Sequence, residues 1–153
     1  MADHVRRQIR NAVVQALTGL PTTAARVYVG RTRPLGPAHE PTLLVYTRSE
    51  TAVRGAGGRP PKLDRVVILD VDGRVSLPDA PDDVLDQIAV EVEAAMWGLA
   101  DQLGTFLNGL ARDIKLVSTE VIAEAAGERH IGGVRLEYAV AYRTSEGAPA
   151  SSV

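Results

Sequence analysis

The chain predicts an α+β fold: a mostly antiparallel or mixed sheet of about five strands, with two main helices packed on one face. Three observations point to it. Apolar residues recur at helical spacing in two separate segments, 3–18 and 83–96. They alternate at strand spacing in Val134-Arg-Leu-Glu-Tyr-Ala-Val-Ala-Tyr142, because successive strand side chains face opposite sides of a sheet. The order helix, three strands, helix, two strands leaves short links between strands. Such links favour antiparallel neighbours, and one sheet face suffices to bury both helix stripes.

The first helix carries Val5, Ile9, Val13 and Leu17 four apart, with Arg6, Arg7, Arg10, Asn11 and Gln15 mostly off that stripe. Asp3 is the expected N-cap, and Gly19 with Pro21 marks the end. Residues 25–30 read as a short strand. A connection containing Pro and Gly runs from Arg33 to Pro41, and Leu43-Leu-Val-Tyr46 forms a strand apolar enough for burial on both faces. At 48–62 the character changes: Arg48, Arg54, Arg59 and Lys62 stand among Gly55, Gly57, Gly58, Pro60 and Pro61, as in a flexible basic loop. Leu63–Val71 is the third strand, and Asp72-Gly73 reads as a turn.

Pro78 to Asp83 opens the second helix, with Asp79, Asp82 and Asp83 where the helix dipole favours acid. Val84, Leu85, Ile88, Val92, Ala95 and Met96 make its apolar face; Asp86, Glu91 and Glu93 leave the exposed side acidic. Residues 97–111 suggest a helical turn and a loop. The last two strands occupy 113–123 and 131–144. Residues 1–145 thus make a single domain, and 146–153 have the composition of a disordered tail.

At 153 residues the chain is long enough for a real core, and an aromatic share of 4% makes that core aliphatic. A net charge of −2 supplies no overall attraction for nucleic acid. With no cysteine there is neither disulfide nor thiolate metal site. Met1-Ala-Asp-His-Val-Arg-Arg7 is not followed by the apolar run of a signal peptide, and no stretch approaches the ~20 apolar residues of a membrane helix. A soluble protein is expected.

Val66-Val-Ile-Leu-Asp-Val-Asp-Gly73 resembles the nucleophile motif of haloacid-dehalogenase phosphatases. That resemblance makes Asp70 the nucleophile and Asp72 the acid/base of a small magnesium-dependent phosphatase. Arg74 stands where that family has Thr, and too little chain follows for its repeated βα units. A strand ending in an acidic turn is the plainer reading. Asp70, Asp72, Asp79, Asp82 and Asp83 lack EF-hand spacing. His4, His39 and His130 have no ligand-spaced partners, and the glycines of the basic loop lack the Gly-Lys-Ser/Thr of a phosphate loop. The loop could touch phosphates but has no interleaved aromatics for base stacking.

Several blocks in order resemble the tail terminator proteins of long-tailed phages, the lambda minor tail protein U type, which also occur in gene transfer agents. They are Arg6–Leu20, Arg26-Val-Tyr-Val-Gly30, Pro41–Thr47 with Glu50, Asp83 to Met96, Asp113–Glu120, Gly127-Glu128, Ile131-Gly132 and Tyr138–Thr144. The resemblance covers about residues 5–145. It implies a structural virion protein, not an enzyme, with no catalytic, cofactor or metal residues. It further implies a homo-oligomer, a hexameric ring in the tail or neck of a particle assembled in the host cytoplasm. The ring caps the tail tube protein, ends its polymerisation and meets the head connector or neck protein, with DNA as a passing partner and no membrane. A related neck or head-closure protein of the same particle is the neighbouring reading. Within this frame Arg48, Arg54, Arg59 and Lys62 are expected to bind a partner, and Asp83, Asp86 and Glu93 to face the lumen.

Overall fold

In the computed structural model, residues 2–31, 41–100, 106–127 and 129–153 are described. Helix α1 (Val5–Leu17) leads to strands β1 (Val27–Val29), β2 (Thr42–Arg54) and β3 (Lys62–Leu77). Helix α2 (Asp82–Ala100) and a 3-10 turn (Phe106–Gly109) precede β4 (Asp113–Ala126), β5 (Arg129–Ser145) and β6 (Ala148–Ser152). The strands form one sheet in the order β1-β2-β3-β5-β4, with β6 beside the end of β5. β1 runs parallel to β2 and every other pair is antiparallel, so the sheet is mixed. The β3–β5 ladder runs without a break from Lys62 opposite Ser145 to Leu77 opposite His130.

Alternation decides which side is the core. Val67, Leu69, Val71 and Val75 on β3, and Val134, Leu136, Tyr138 and Val140 on β5, are all buried on the face that receives the helices. Against them pack Val5, Ile9, Val13 and Leu17 of α1, and Leu85, Ile88, Val92 and Met96 of α2. Each such side chain contributes about 1.5–3 kcal/mol relative to exposure. The two helix stripes read from spacing are thus the ones that fill the core.

The Asp72-Gly73 turn does not form; both residues lie well inside β3. Gly73 serves a close approach instead. A Cβ there would sit 2.8 Å from Ile88 Cγ2 of α2, and one on Gly132 only 2.7 Å from the Pro81 ring. Glycines on adjacent strands let the start of α2 settle onto the sheet.

The expected loop at 48–62 is mostly a hairpin. β2 continues to Arg54, paired with Leu63, and only 55–61 turn the chain. A bulge between Thr47 and Ser49 absorbs Arg48 and lets the ladder resume. The expected disordered tail contains β6: Glu146 and Gly147 make a two-residue turn, Gly147 taking φ +83°, and Ala148 pairs back onto Ser145. The N-cap of α1 is His4, whose Nδ1 accepts the Arg6 backbone N–H at 3.1 Å, while Asp3 bonds the Arg7 guanidinium. α2 runs on to Ala100, past the expected end at Met96. Most of the Arg33–Pro41 connection (32–40) and part of the 97–111 segment (101–105) lie outside the described residues.

Candidate functional site

The alternation that sends Val67, Leu69 and Val71 into the core sends Asp70 and Asp72 to the opposite, helix-free face. Both are buried there by a network of arginines. Asp70 Oδ2 accepts from Arg48 Nε at 3.0 Å, and Arg48 also pairs with Glu137. Asp70 Oδ1 is buried with no hydrogen-bond partner among the described residues. Asp72 accepts from Arg135 Nε at 3.0 Å, from Arg135 Nη2 at 3.3 Å and from the Tyr46 hydroxyl at 3.1 Å. Burial, reinforced by the Asp72 carboxylate, pushes the Tyr46 phenol up to about 12. The hydrogen bond to Asp72 raises the Arg135 guanidinium further above its ordinary value.

This geometry bears on the phosphatase motif. An aspartyl nucleophile must be open to a phosphate ester and sit by a metal. Asp70 has no exposed surface, and the two carboxylates lie in mid-strand, not at a strand end, with guanidinium partners in hand. Among the described residues no group of three or more His, Cys, Asp or Glu could hold a metal ion.

A second ionic cluster sits on the helix face, beyond the apolar core. Glu50, placed inward by the β2 bulge, accepts from Arg6 Nη1 and Arg65 Nη1, each at 3.0 Å, and from the Tyr142 hydroxyl. It ties the first turn of α1 to β2, β3 and β5. Burial raises the Tyr142 phenol, with the Glu50 carboxylate adding to it.

The four basic residues do not form one patch. Arg48 belongs to the Asp70 network. At the far end of the hairpin, Arg54 pairs with Glu146 at 2.6 Å and Lys62 Nζ donates to Ser145 Oγ at 2.9 Å. Arg59 lies in the turn and, with Arg54 and Glu146, lines a shallow cleft.

Asp83, Asp86 and Glu93 all lie exposed along α2. Their face also carries Val90 and Trp97, 63% and 68% exposed. Glu93, Met96 and Trp97 border a groove of about 350 Å³ against Ile114, Leu116 and Tyr138. Burial first, and Glu93 second, raise the Tyr138 phenol. The groove opens at β4, which among the described residues pairs only with β5 and leaves Leu116, Val117, Val121 and Ile122 about half exposed. A long edge strand with apolar side chains is a template for association unless something covers it. Sequence reasoning passed over Trp97 and this edge. The signal for Trp97 was its place one turn after Glu93, off the apolar stripe, as the single tryptophan of the chain.

No protein-family model matches the chain, and no curated protein matches it. Among the described residues no helix is long and apolar enough to cross a membrane.

Proposed function

We propose that the protein is a structural virion component, a tail terminator that caps the tail tube as a hexameric ring, ends its polymerisation and presents the joining surface to the head connector. The observation that carries this reading is the exposed apolar surface of β4 and Trp97 on a domain whose core is otherwise filled. Such a surface suits a subunit that works in an assembly. The ordered sequence resemblance over residues 5–145 supplies the kind of assembly. Asp83 and Asp86 then face the lumen, where like charge keeps passing DNA from adhering. The β2–β3 hairpin tip, with Arg54, Arg59 and Lys62, docks on the tail tube or the connector as a formed arm.

The test is the native mass of the protein over a concentration series. Six copies of 16.3 kDa give a ring of about 98 kDa, visible as an annulus by electron microscopy. A protein that stays at 16.3 kDa and leaves tail length unchanged when added to assembling tails would remove the reading.

A further inference from the structure

On the helix-free face, Gly133 of β5 lies opposite Arg74 of β3 and Ile122 of β4. Ile131 and Arg135 flank it two residues away on the same strand, so on the same face. Four side chains therefore stand around a residue that has none, and the space between them is a cavity of about 420 Å³. Its walls are apolar, Ile122 and Ile131. Its rim carries two guanidiniums, the Arg74 and Arg135 side chains being 37% and 42% exposed, with the exposed Glu120 carboxylate 3.9 Å from Arg135. Asp72 sits behind both guanidiniums, 3.0 Å from Arg135 and 3.7 Å from Arg74, whose Nη2 donates to the Arg31 carbonyl at 3.2 Å.

The opposite layer of the molecule carries the complement. Trp97 projects from α2 with Glu93 one turn before it, an indole beside a carboxylate. We propose that the Trp97–Glu93 knob of one copy enters the Gly133 socket of a second copy. The indole would lie between the isoleucines with a guanidinium over its ring, and the Glu93 carboxylate would meet Arg74 or Arg135. Buried Trp and Arg are the residue types that dominate interface energies. Knob and socket lie on opposite faces, so the contact is head to tail, and repeating it yields a ring or an open filament. Closure into a ring rests on the function proposed above. The contact also moves Glu93 from the lumen to the subunit boundary. Asp83 and Asp86, roughly 10–15 Å back along α2 from Glu93 at 1.5 Å per residue, stay clear of it.

The single tryptophan makes the contact directly observable. Native mass and acrylamide quenching of Trp97 emission are measured together over a concentration series. Wild type is expected to lose quenching severalfold as it assembles. Gly133→Val should fold, since the nearest atom to its Cβ is the Gly73 carbonyl oxygen at 3.7 Å, yet it puts a branched side chain on the socket floor between the isoleucines and should remain a monomer with quenchable Trp97. Trp97→Ala, which removes an exposed side chain, should also remain a monomer. Mixed one to one, the two variants have one intact knob facing one intact socket, and should give a dimer of about 33 kDa, two copies of 16.3 kDa, and nothing larger.

A wild-type assembly whose Trp97 stays as quenchable as in the dilute monomer overturns the contact and leaves the ring standing. So does a Gly133→Val chain that still assembles. Filaments with protected Trp97, lost in Gly133→Val, support the contact and remove the ring. A wild-type monomer throughout, with open Trp97, overturns the contact between free copies; the ring falls with it only if the protein also leaves tail length unchanged when added to assembling tails.

Discussion

Asp72 and Arg135 face each other directly across the β3–β5 ladder, the guanidinium meeting the carboxylate through Nε at 3.0 Å and Nη2 at 3.3 Å. The pair lies on the sheet face without helices, yet the carboxylate is buried because Tyr46 and Arg135 close over it. Arg135→Leu should therefore destabilise the fold by about 1–3 kcal/mol, the cost of a buried acceptor left underpaired, reduced because Arg135 itself is partly solvated. Asp72→Asn in the same chain should recover part of the loss. Urea denaturation of the single and double variants measures both.

Gly73→Ala tests the close approach of α2. The added methyl would meet Ile88 Cγ2 at 2.8 Å and Val134 Cγ1 at 3.0 Å, and overpacking of this kind costs about 1–3 kcal/mol. Ile88→Val keeps Cγ2 and should not help, whereas Ile88→Ala removes the closer of the two contacts, leaves Val134 Cγ1 at 3.0 Å, and should reduce the cost of the glycine substitution in that background. Thermal melts of wild type, the three single variants and the two double variants would show a non-additive cycle for Ile88→Ala; simple additivity would mean that α2 shifts freely.

His4 gives the fold a mild pH dependence. Its imidazole caps α1 by accepting an N–H, which only the neutral ring can do. Burial, then the charges of Arg6 and Arg65, hold its pKa below 6.5, with Glu50 opposing them. The unfolded chain therefore binds the proton first. Stability is full above pH 6.5 and declines as pH falls from there toward the folded value. His4→Asn keeps a capping acceptor without titrating, and its stability curve should be flatter over that interval. Parallel curves would assign the dependence elsewhere.

The hairpin arm can be tested apart from the fold. Replacing Arg54, Arg59 and Lys62 by Gln leaves the β2–β3 ladder in place, so circular dichroism and melting should change little. Tail capping should fail, with tails of irregular length under the microscope. Tails of normal length would show that the tip makes no essential contact.

Asp83→Asn with Asp86→Asn removes two exposed charges from α2 without touching its buried stripe. Assembly should proceed normally while DNA release slows. Ejection at the wild-type rate would remove these residues from the lumen.

The helices and the sheet's core face were legible because periodicity is local: Val5, Ile9, Val13 and Leu17 declare their stripe within one segment. What stayed hidden depends on partners far along the chain. Asp70 and Asp72 read as an acidic turn, with a catalytic pair as the alternative, because Arg48 and Arg135, which neutralise them, lie 22 and 63 residues away. Gly73 reads as a turn because the helix that needs it empty, through Ile88, meets it only in the folded sheet. Residues 48–54 looked like a loop because an exposed hairpin needs no apolar alternation to keep its register, only the neighbouring strand. The Gly133 socket is a cross-strand feature, and only the pairing of Arg74, Gly133 and Ile122 reveals it.

The unbroken β3–β5 ladder, from Lys62–Ser145 to Leu77–His130, has a mechanical side. Sixteen paired positions at about 3.4 Å each extend it over roughly 50 Å. Tension applied along the strands loads those hydrogen bonds side by side in shear, so they must yield together instead of peeling one at a time. A domain built around such a girder resists stretching along one axis and flexes across it, which suits a joint that carries strain between two larger bodies.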